Sequence, residues 1–276
     1  MQITFYGVRG SCPCPGADYI RYGGNTACVV LDVVDEPPIV LDLGTGVRSF
    51  GRHQPMDGTF RGTALITHVH WDHVQGLPFF APLHTPGARL DVYGPAQGEG
   101  GLAQVVDQLM RPPLFPVRYS ELGGDIEFHD VLDDDFALGD AKVRVRPVPH
   151  CGSTVGYRIE WHGTSVAYVS DHQAPIGLDT VAESVLELCD GVDLLVHDAQ
   201  YTPAEFDARA DWGHCTMAYA VMVAQRAGAR SVALFHHDPG HDDDALDELV
   251  AEAQAAPAAR GGPEVLAARE GLTLHL

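Results

Sequence analysis

The sequence predicts one α/β domain, built as a sandwich of mixed strands and helices. Short β-branched runs recur along the 276 residues and alternate with stretches of helical periodicity. Hydrophobic residues make up 45% of the chain, which is enough for a sizeable core. Neither a Ser/Gly linker nor a sharp shift in composition divides the chain, so we treat residues 1–276 as a single domain.

We predict a strand wherever a short apolar run is rich in Val, Ile or Thr. Such runs cover residues 1–6, 27–34, 39–43, 63–67, 90–93, 143–148, 155–160, 165–170, 192–196 and 231–235. The predicted helices lie between some of these strands, at residues 73–82, 102–110, 179–189, 216–227 and 243–256. Gly228 follows the fourth helix, and the first turn of the fifth is acidic, as the helix dipole prefers.

The least regular stretch is residues 94–135, which contains a glycine-rich run at 98–101 and a proline-rich run at 111–116. A long ordered loop of this kind is usually functional or forms a lid. A surface insertion explains the same composition. The sequence leaves these two interpretations open.

Charge and hydropathy exclude several classes of partner. Acidic residues outnumber basic ones by 38 to 17, a formal net charge of −21, so the chain repels polyanions and long RNA or DNA is not an expected partner. No apolar run approaches the roughly 18 to 20 residues that span a bilayer, and the first residues read as a strand instead of a signal peptide. We therefore predict a cytoplasmic protein without membrane contact.

The six cysteines are scattered along the chain and indicate reduced, mostly structural thiols. The pair Cys12 and Cys14 lacks the other half of a four-ligand structural metal site.

The 15 histidines mark the functional region, because seven of them stand directly beside another His or an Asp. The predicted strand 63–67 runs directly into His68-Val-His70-Trp-Asp72-His73. Residues 68 and 70 are two apart at a strand end and project the same way, while Asp72 and His73 open a helix. Imidazole and carboxylate together suit Zn²⁺, Mn²⁺ or Fe better than Mg²⁺ or Ca²⁺. The cluster therefore predicts a metal site that can serve two ions.

One cluster cannot close two coordination spheres, so further ligands are expected at the ends of other strands. His150, Asp171 and His236 each follow an apolar run at the point where the chain leaves the predicted sheet. Taken alone, either histidine is more often a structural residue, and His237 competes with His236.

The motif His68-x-His70-x-Asp72-His73, followed in order by His150, Asp171 and His236, resembles the metallo-β-lactamase fold superfamily over nearly the whole chain. The resemblance implies a four-layer αβ/βα sandwich with two divalent metal ions along its upper edge, Zn²⁺ being the expected ion and Mn²⁺ or Fe the alternatives. The implied ligands of one ion are His68, His70 and His150, those of the other are Asp72, His73 and His236, and Asp171 bridges the two. His236 is preferred over His237 because its surroundings resemble the family's Leu-x-His-x-x-Pro pattern.

Two later segments resemble the phosphodiesterase branch of the superfamily that includes ribonuclease Z. They are Val196-His-Asp-Ala-Gln-Tyr201 and Trp212-Gly-His214-Cys-Thr216. The resemblance implies that His214 protonates the departing alkoxide or holds a phosphoryl oxygen, and Asp72 and His214 are the candidate catalytic residues. The alternative for His214 is a polar residue at the start of a helix. Ribonuclease Z also carries a tRNA-binding arm between its His and Asp ligands, which is missing here because only residues 151–170 separate His150 from Asp171.

Residues 7–11 and 21–26 resemble bacterial and phage members that cleave 3′,5′-cyclic nucleotides. Arg9 and Asn25 are therefore candidate substrate contacts, with turn and packing roles as the alternative. Arg111 and Phe115 could add a cation and a stacking surface from the candidate lid, and a second protomer could complete the site in a homodimer.

Asp42, at the end of a strand, is expected to orient a ligand histidine or to cap a helix.

We therefore predict a dinuclear metal-dependent phosphodiesterase that acts on a small phosphodiester, above all a 3′,5′-cyclic nucleotide, by attack of a metal-bridging hydroxide. One alternative is a metal-dependent hydrolase of a lactone, ester or thioester, in which His214 has no clear task. The other is a di-iron sensor protein.

Overall fold

The computed structural model describes residues 1–98, 100–258 and 261–276, with side chains described except at 256–260 and 99. Fourteen strands form two mixed sheets of seven strands each. The first half of the chain supplies β1 (Gln2–Gly7), β2 (Cys28–Asp32), β3 (Ile39–Leu41), β4 (Arg61–Leu65), β5 (Arg89–Gly94) and β6 (Asp125–Asp130). The second half supplies β7 (Asp134–Leu138), β8 (Ala141–Pro147), β9 (Val155–Trp161), β10 (Thr164–Val169), β11 (Leu194–Asp198), β12 (Ser231–Phe235), β13 (Glu264–Ala267) and β14 (Thr273–His275).

The strand order is β14-β1-β2-β3-β4-β5-β6 in the first sheet and β13-β12-β11-β10-β9-β8-β7 in the second. Strands β3 to β6 run parallel to one another, as do β10 to β13. The carboxyl ends of parallel neighbours meet at one edge of a sheet, so the loops that follow them share that edge. This arrangement is what brings distant segments of the chain together.

Helices cover the outer faces of the two sheets. They are α1 (Val47–Gly51), α2 (Trp71–Val74), α3 (Leu102–Leu109), α4 (Glu183–Cys189), α5 (Pro203–Ala208), α6 (Met217–Ala227) and α7 (Asp243–Ala258). Phe5, Tyr157 and Tyr168 lie in the core between the sheets, and Phe50 and Phe80 lie in a second core beneath α1. A third core packs α4, α6 and α7 on the second sheet. The predicted four-layer αβ/βα sandwich is confirmed.

Most of the predicted strands are present, with ends that differ by a few residues, but β6, β7, β13 and β14 were missed. All four lie at or next to a sheet edge, where short strands carry charged residues and the apolar signal is weak. Residues 94–135 are consequently only partly a loop, because they hold α3, β6 and the start of β7. Glu99, in the glycine-rich run, lies outside the described residues.

The predicted helix 73–82 is wrong beyond its first turn. The chain forms α2 and then two short 3₁₀ turns, Leu77–Phe79 and Ala81–His84. Pro78 and Pro82 lack the N–H that a continuous helix needs. Gly76 also packs so closely against the Gly44 carbonyl that a side chain would clash.

The other predicted helices are present, although α4 begins at Glu183 instead of 179. Thr216 caps α6 by accepting a hydrogen bond from the Tyr219 N–H, and Gly228 ends it in the left-handed conformation that glycine adopts without strain. In the part of the chain described here, no helix is both long enough and apolar enough to cross a bilayer.

Candidate metal centre

The histidine-rich residues converge at one edge of the sandwich. His68 follows β4, His150 follows β8, Asp171 follows β10 and His236 follows β12. Their side chains, with those of His70, Asp72 and His73, form overlapping groups of potential metal ligands whose atoms lie within 4.8 Å of one another. The structure therefore assembles every side chain that the sequence proposed as a ligand.

One group, here called the open group, consists of His68, His70 and His150. The Nε2 atom of His68 lies 2.8 Å from Nδ1 of His70, and Nε2 of His150 lies 3.3 Å from the same Nδ1 atom. Burial lowers the pKa of all three imidazoles, so they stay neutral and keep a lone pair for a cation. His70 is exposed, and the centre therefore opens to solvent at this group.

The other group, here called the buried group, consists of Asp72, His73 and His236. Oδ2 of Asp72 lies 3.2 Å from Nε2 of His73 and 3.0 Å from Nε2 of His236. The backbone N–H of Ser11 donates to the same carboxylate oxygen at 2.8 Å. All three side chains of the group are buried.

Asp171 stands between the two groups. Its Oδ1 atom lies 3.2 Å from Nε2 of His73, and its Oδ2 atom lies 3.5 Å from Nε2 of His236. Oδ2 also lies 3.8 Å from Nε2 of both His68 and His150. One carboxylate thus faces both groups, as a bridging ligand requires.

The donor atoms fit divalent cations. Nε2 of His73 and Oδ1 of Asp171 are buried without a hydrogen-bond partner although they lie close together, which is the arrangement expected of atoms that share a cation. Among the ion pairs of the described residues, Asp72 and Asp171 meet histidines only, with no Lys or Arg to balance their charge. Imidazole and carboxylate together are a donor set for borderline divalent metals.

The titration of His73 reflects this deficit of positive charge. Burial lowers the pKa of its imidazole, but the carboxylates of Asp72, Asp171 and Asp42 outweigh burial and raise that pKa well above its usual value. The pKa of both Asp72 and Asp171 is held well below its usual range because, although burial opposes it, the neighbouring histidines favour the charged carboxylates. The centre is built to hold positive charge.

A surrounding layer of residues orients the ligands of the buried group. Nδ1–H of His73 donates to Oδ2 of Asp42 at 2.8 Å, and Asp42 also accepts from the Thr67 N–H and the Tyr168 hydroxyl. Gly46, not Asp42, precedes α1, so Asp42 has the orienting role and not the capping role. Nδ1–H of His236 donates to Oε1 of Gln200 at 2.9 Å. Such contacts set the tautomer and direction of a ligand histidine.

The ligands of the open group are oriented by a different kind of partner. Nδ1–H of His150 donates to the carbonyl oxygen of Gly213 at 2.7 Å, and Nδ1 of His68 lies 3.1 Å from the Thr67 hydroxyl. Gly213 has φ 99° and packs directly on the His150 ring, where a side chain would clash. The open group is therefore supported directly by a backbone carbonyl and a hydroxyl, and the Asp42 carboxylate reaches it only through the Thr67 hydroxyl.

His214 lies beside the centre. Its Nδ1 atom is 3.0 Å from Oδ2 of Asp198 and 3.7 Å from Oδ2 of Asp171, and its ring stacks on that of His236. Burial lowers the pKa of His214, but the carboxylates of Asp198 and Asp171 outweigh it and raise that pKa to about 9. The cap of α6 is Thr216, so His214 does not serve as the helix cap.

His237 is directed away from the centre. Its Nε2–H donates to the carbonyl oxygen of Ala268 at 2.8 Å, and its ring packs edge-on against Tyr22. The choice of His236 over His237 agrees with this placement.

The structure corrects the prediction that Arg9 and Asn25 contact the substrate. Arg9 is fully buried, and its guanidinium donates to the carbonyl oxygens of Gly23 and His241 at 2.8 and 2.6 Å. The Asn25 amide donates to Glu270 at 2.9 Å. Both side chains hold loops together through these hydrogen bonds, which is the alternative that the sequence left open.

Arg111 and Phe115 lie in the connection between α3 and β6. Arg111 is exposed, and Phe115 packs edge-to-face on Phe79 with ring centres 5.9 Å apart. Phe115 also lines a cavity together with Trp71. Trp71 stands between the ligands His70 and Asp72 in the chain.

Asp198 and Gln200 are functional candidates that the sequence reading did not single out. Both lie within the quoted segment 196–201, but no task was given to them. Their positions in the chain could have indicated a role. Asp198 ends β11 and Asp171 follows β10, and these two strands are parallel neighbours. Acidic residues at adjacent carboxyl ends are expected to meet.

Comparison with known proteins agrees with this geometry. The family model described as "Beta-lactamase superfamily domain" matches residues 39–237, more than half of the chain. Ribonuclease Z from Haloarcula marismortui is 26% identical, with 93% of this chain and 92% of that protein covered. Ribonuclease Z from Synechococcus sp. WH7803 is 28% identical, with 92% and 91% covered.

Three solved structures share the fold. The metallo-β-lactamase fold protein YhfI from Bacillus subtilis has a TM-score of 0.73 at 17% identity, with 99% of this chain and 98% of that one covered. The short form of human tRNase Z has a TM-score of 0.71 at 20% identity, with 100% and 99% covered. A diphosphatase from the PhnP family has a TM-score of 0.67 at 21% identity, with 100% and 97% covered. The family match over residues 39–237, together with the converging histidines and aspartates, shows that the chain belongs to the β-lactamase superfamily domain family, and its sequence is similar to that of ribonuclease Z.

Proposed function

We propose that this metal-dependent hydrolase of the phosphodiesterase type acts on small phosphodiesters, above all 3′,5′-cyclic nucleotides, and not on long RNA. The observation that carries the proposal is the placement of Asp171 between the open and buried groups, with the His214–Asp198 pair 3.7 Å from the same carboxylate. That arrangement combines a site for two cations with a histidine held for proton transfer.

The residues of the two groups have distinct tasks. The ligands proposed for one divalent ion are His68, His70 and His150, those for the second are Asp72, His73 and His236, and Asp171 is shared. Zn²⁺ is the proposed ion, because five of these ligands are imidazoles. Two divalent ions, when bound, lower the pKa of a shared water and neutralise charge on the phosphoryl oxygens. Asp72 is the catalytic carboxylate, since its Oδ2 atom faces His73 and His236 at the point where they converge.

His214 is proposed to handle the leaving group. Asp198 occupies its Nδ1 atom, which leaves Nε2 as the ring nitrogen available to a substrate. A protonated His214 can donate from Nε2 to the departing alkoxide oxygen, or hydrogen-bond a phosphoryl oxygen in the transition state. Asp198 fixes the orientation of the ring and stabilises its positive charge. For a 3′,5′-cyclic nucleotide, cleavage of the bond to the 3′ oxygen releases a nucleoside 5′-monophosphate.

The size of the substrate is argued from the segment between His150 and Asp171. Most of residues 151–170 form β9 and β10, which are joined by a short turn between Trp161 and Thr164. No arm therefore extends from this position. The alignment with Haloarcula ribonuclease Z extends over 307 positions although this chain has 276 residues, so that relative carries segments that this chain lacks. A net charge of −21 also opposes the phosphate neutralisation that long RNA requires.

A panel of substrates tests the proposal. Protein loaded with Zn²⁺ or Mn²⁺ is expected to convert 3′,5′-cyclic AMP to 5′-AMP and to cleave bis(p-nitrophenyl) phosphate, while a precursor tRNA and a lactone remain intact. Asp171→Asn serves as the inactive control. Turnover of the tRNA or of the lactone without turnover of the cyclic nucleotide would contradict the proposed substrate class.

A further inference from the structure

We propose that the cavity bounded by Trp71 on α2 and by the connection that follows α3 is the subsite for the nucleobase, or an equivalent flat neutral aromatic group, of the substrate. This inference rests on the proposed function and names the part of the phosphodiester that the chain selects. We call the cavity the aromatic subsite. Its principal lining residues are Trp71, Gln75, Phe79, Met110, Leu114 and Phe115.

The position of the aromatic subsite follows from α2. This single helical turn carries Asp72 and His73 on its buried side, where they join the metal centre, and Trp71 on its exposed side. Trp71 also follows His70, the exposed ligand at which the centre opens to solvent. Trp71 therefore links the aromatic subsite to the centre, because it lines the cavity and stands between the ligands His70 and Asp72 in the chain.

The chemistry of the walls selects a neutral group. None of the lining residues carries a charge, and Gln75 is the polar one among them. This is unusual in a chain with a net charge of −21. An aromatic group gains dispersion and stacking energy against Trp and Phe rings, whereas a phosphate would lose its hydration there without a compensating cation.

The walls are also exposed in a way that folding alone does not explain. Trp71 is 64% exposed, Leu114 65% and Phe79 55%, although large apolar side chains ordinarily lie inside. Clustered exposed apolar residues around a concave site are typical of ligand binding. The cavity has a volume of about 280 Å³, which suits a heterocyclic base better than a protein segment.

The experiment compares two ligands that share a phosphate and differ by the base. Adenosine 5′-monophosphate and ribose 5-phosphate are titrated into the metal-loaded protein in a calorimeter. We expect wild type to bind the nucleotide about 10-fold more tightly, the range expected for stacking of one base. Trp71→Ala is expected to remove this preference while keeping the affinity for ribose 5-phosphate within about 2-fold of the wild-type value. Trp71→Phe is expected to retain most of the preference for the nucleotide.

Trp212→Ala is the matched control. Trp212 is 62% exposed and stands two residues before His214 in the chain, but it does not line the aromatic subsite. Its removal is expected to leave the preference for the nucleotide intact. Equal binding of the two ligands by wild type, or loss of the preference in Trp212→Ala but not in Trp71→Ala, would overturn the inference.

Turnover of two further compounds separates this inference from the proposed function. Bis(p-nitrophenyl) phosphate and methyl p-nitrophenyl phosphate have the same leaving group, so a difference in kcat/KM reports the second ester group. Trp71→Ala should lower kcat/KM about 10-fold for the first compound and less than about 2-fold for the second. Failure of wild type to cleave either compound, with the nucleotide preference intact, contradicts the proposed function and supports the subsite. An equal loss on both compounds, accompanied by a smaller sedimentation coefficient, would assign Trp71 to a subunit interface and overturn the subsite.

Discussion

The open and buried groups of the metal centre use similar ligands in different environments. His70 of the open group is exposed, and its companions rely on a backbone carbonyl and a hydroxyl for orientation. The buried group contains a carboxylate and receives a second from Asp42 through His73. More negative charge in a drier environment binds a cation more tightly. The comparison suggests that the buried group retains its ion while the open group exchanges its ion and meets the substrate.

The largest expected effect comes from the residue that joins the two groups. Asp171→Asn removes the charge that both proposed ions share, and we expect loss of metal together with a fall in kcat/KM on the order of 1,000-fold or more. Metal content by mass spectrometry and phosphodiester hydrolysis measure the two effects. Asp140→Asn, in the exposed turn between β7 and β8, is the matched control. Full metal content in Asp171→Asn would show that the groups are independent.

A somewhat smaller effect is expected from His214, which stands beside both groups. His214→Ala should reduce kcat by about 100-fold or more, because the leaving oxygen loses its proton donor, with KM and metal content little changed. Since His214 also lies within ligand distance of Asp171 and His236, metal content is the decisive measurement. Loss of one equivalent of metal would make it a ligand instead of an acid.

The carboxylate that directly supports the buried group can be neutralised. Asp42→Asn keeps the size of the side chain but removes the charge that orients His73, and we expect metal affinity to fall about 10- to 100-fold. Competition with a chromogenic chelator measures the affinity. Because Asp42 touches Thr67 and Tyr168 as well, the melting temperature of the metal-free variant is measured alongside. An unchanged affinity would mean that burial, and not the second carboxylate, distinguishes the two groups.

The smallest expected effect is a difference in the rates at which a chelator removes the two ions from the wild-type protein. We expect one equivalent of metal to leave quickly from the open group and the second to leave slowly from the buried group. The slowly released ion should stabilise the fold by about 2.7 kcal/mol when its free concentration is 100-fold above its Kd, and the more weakly bound ion should stabilise it less at the same concentration. Release curves and thermal melts follow the two steps. A single phase for both ions would remove the proposed difference.

Several elements of the molecule could be predicted because their signals are local. The His68–His73 motif occupies six consecutive residues at a strand-to-helix turn. The capping threonine and terminal glycine of α6 can likewise be read from the sequence. For Arg9 the sequence left two roles open, a substrate contact implied by the resemblance and a packing role. Only the folded chain shows its guanidinium enclosed by carbonyl oxygens from Gly23 and His241.

The sequence by itself determined the alternation of strands and helices, the identity of the donor side chains and their order along the chain, since these depend on residue type and short spacing. The tertiary structure alone decided that Asp198 meets His214, that Gln200 orients His236, that Asp42 orients His73 instead of capping a helix, and that Trp71 lines a cavity with Phe79 and Phe115. Those contacts join residues brought together by the parallel register of β10, β11 and β12 and by packing between the sheets. The physical reason is that such contacts depend on how separate strands align, and no local spacing in the chain records that alignment.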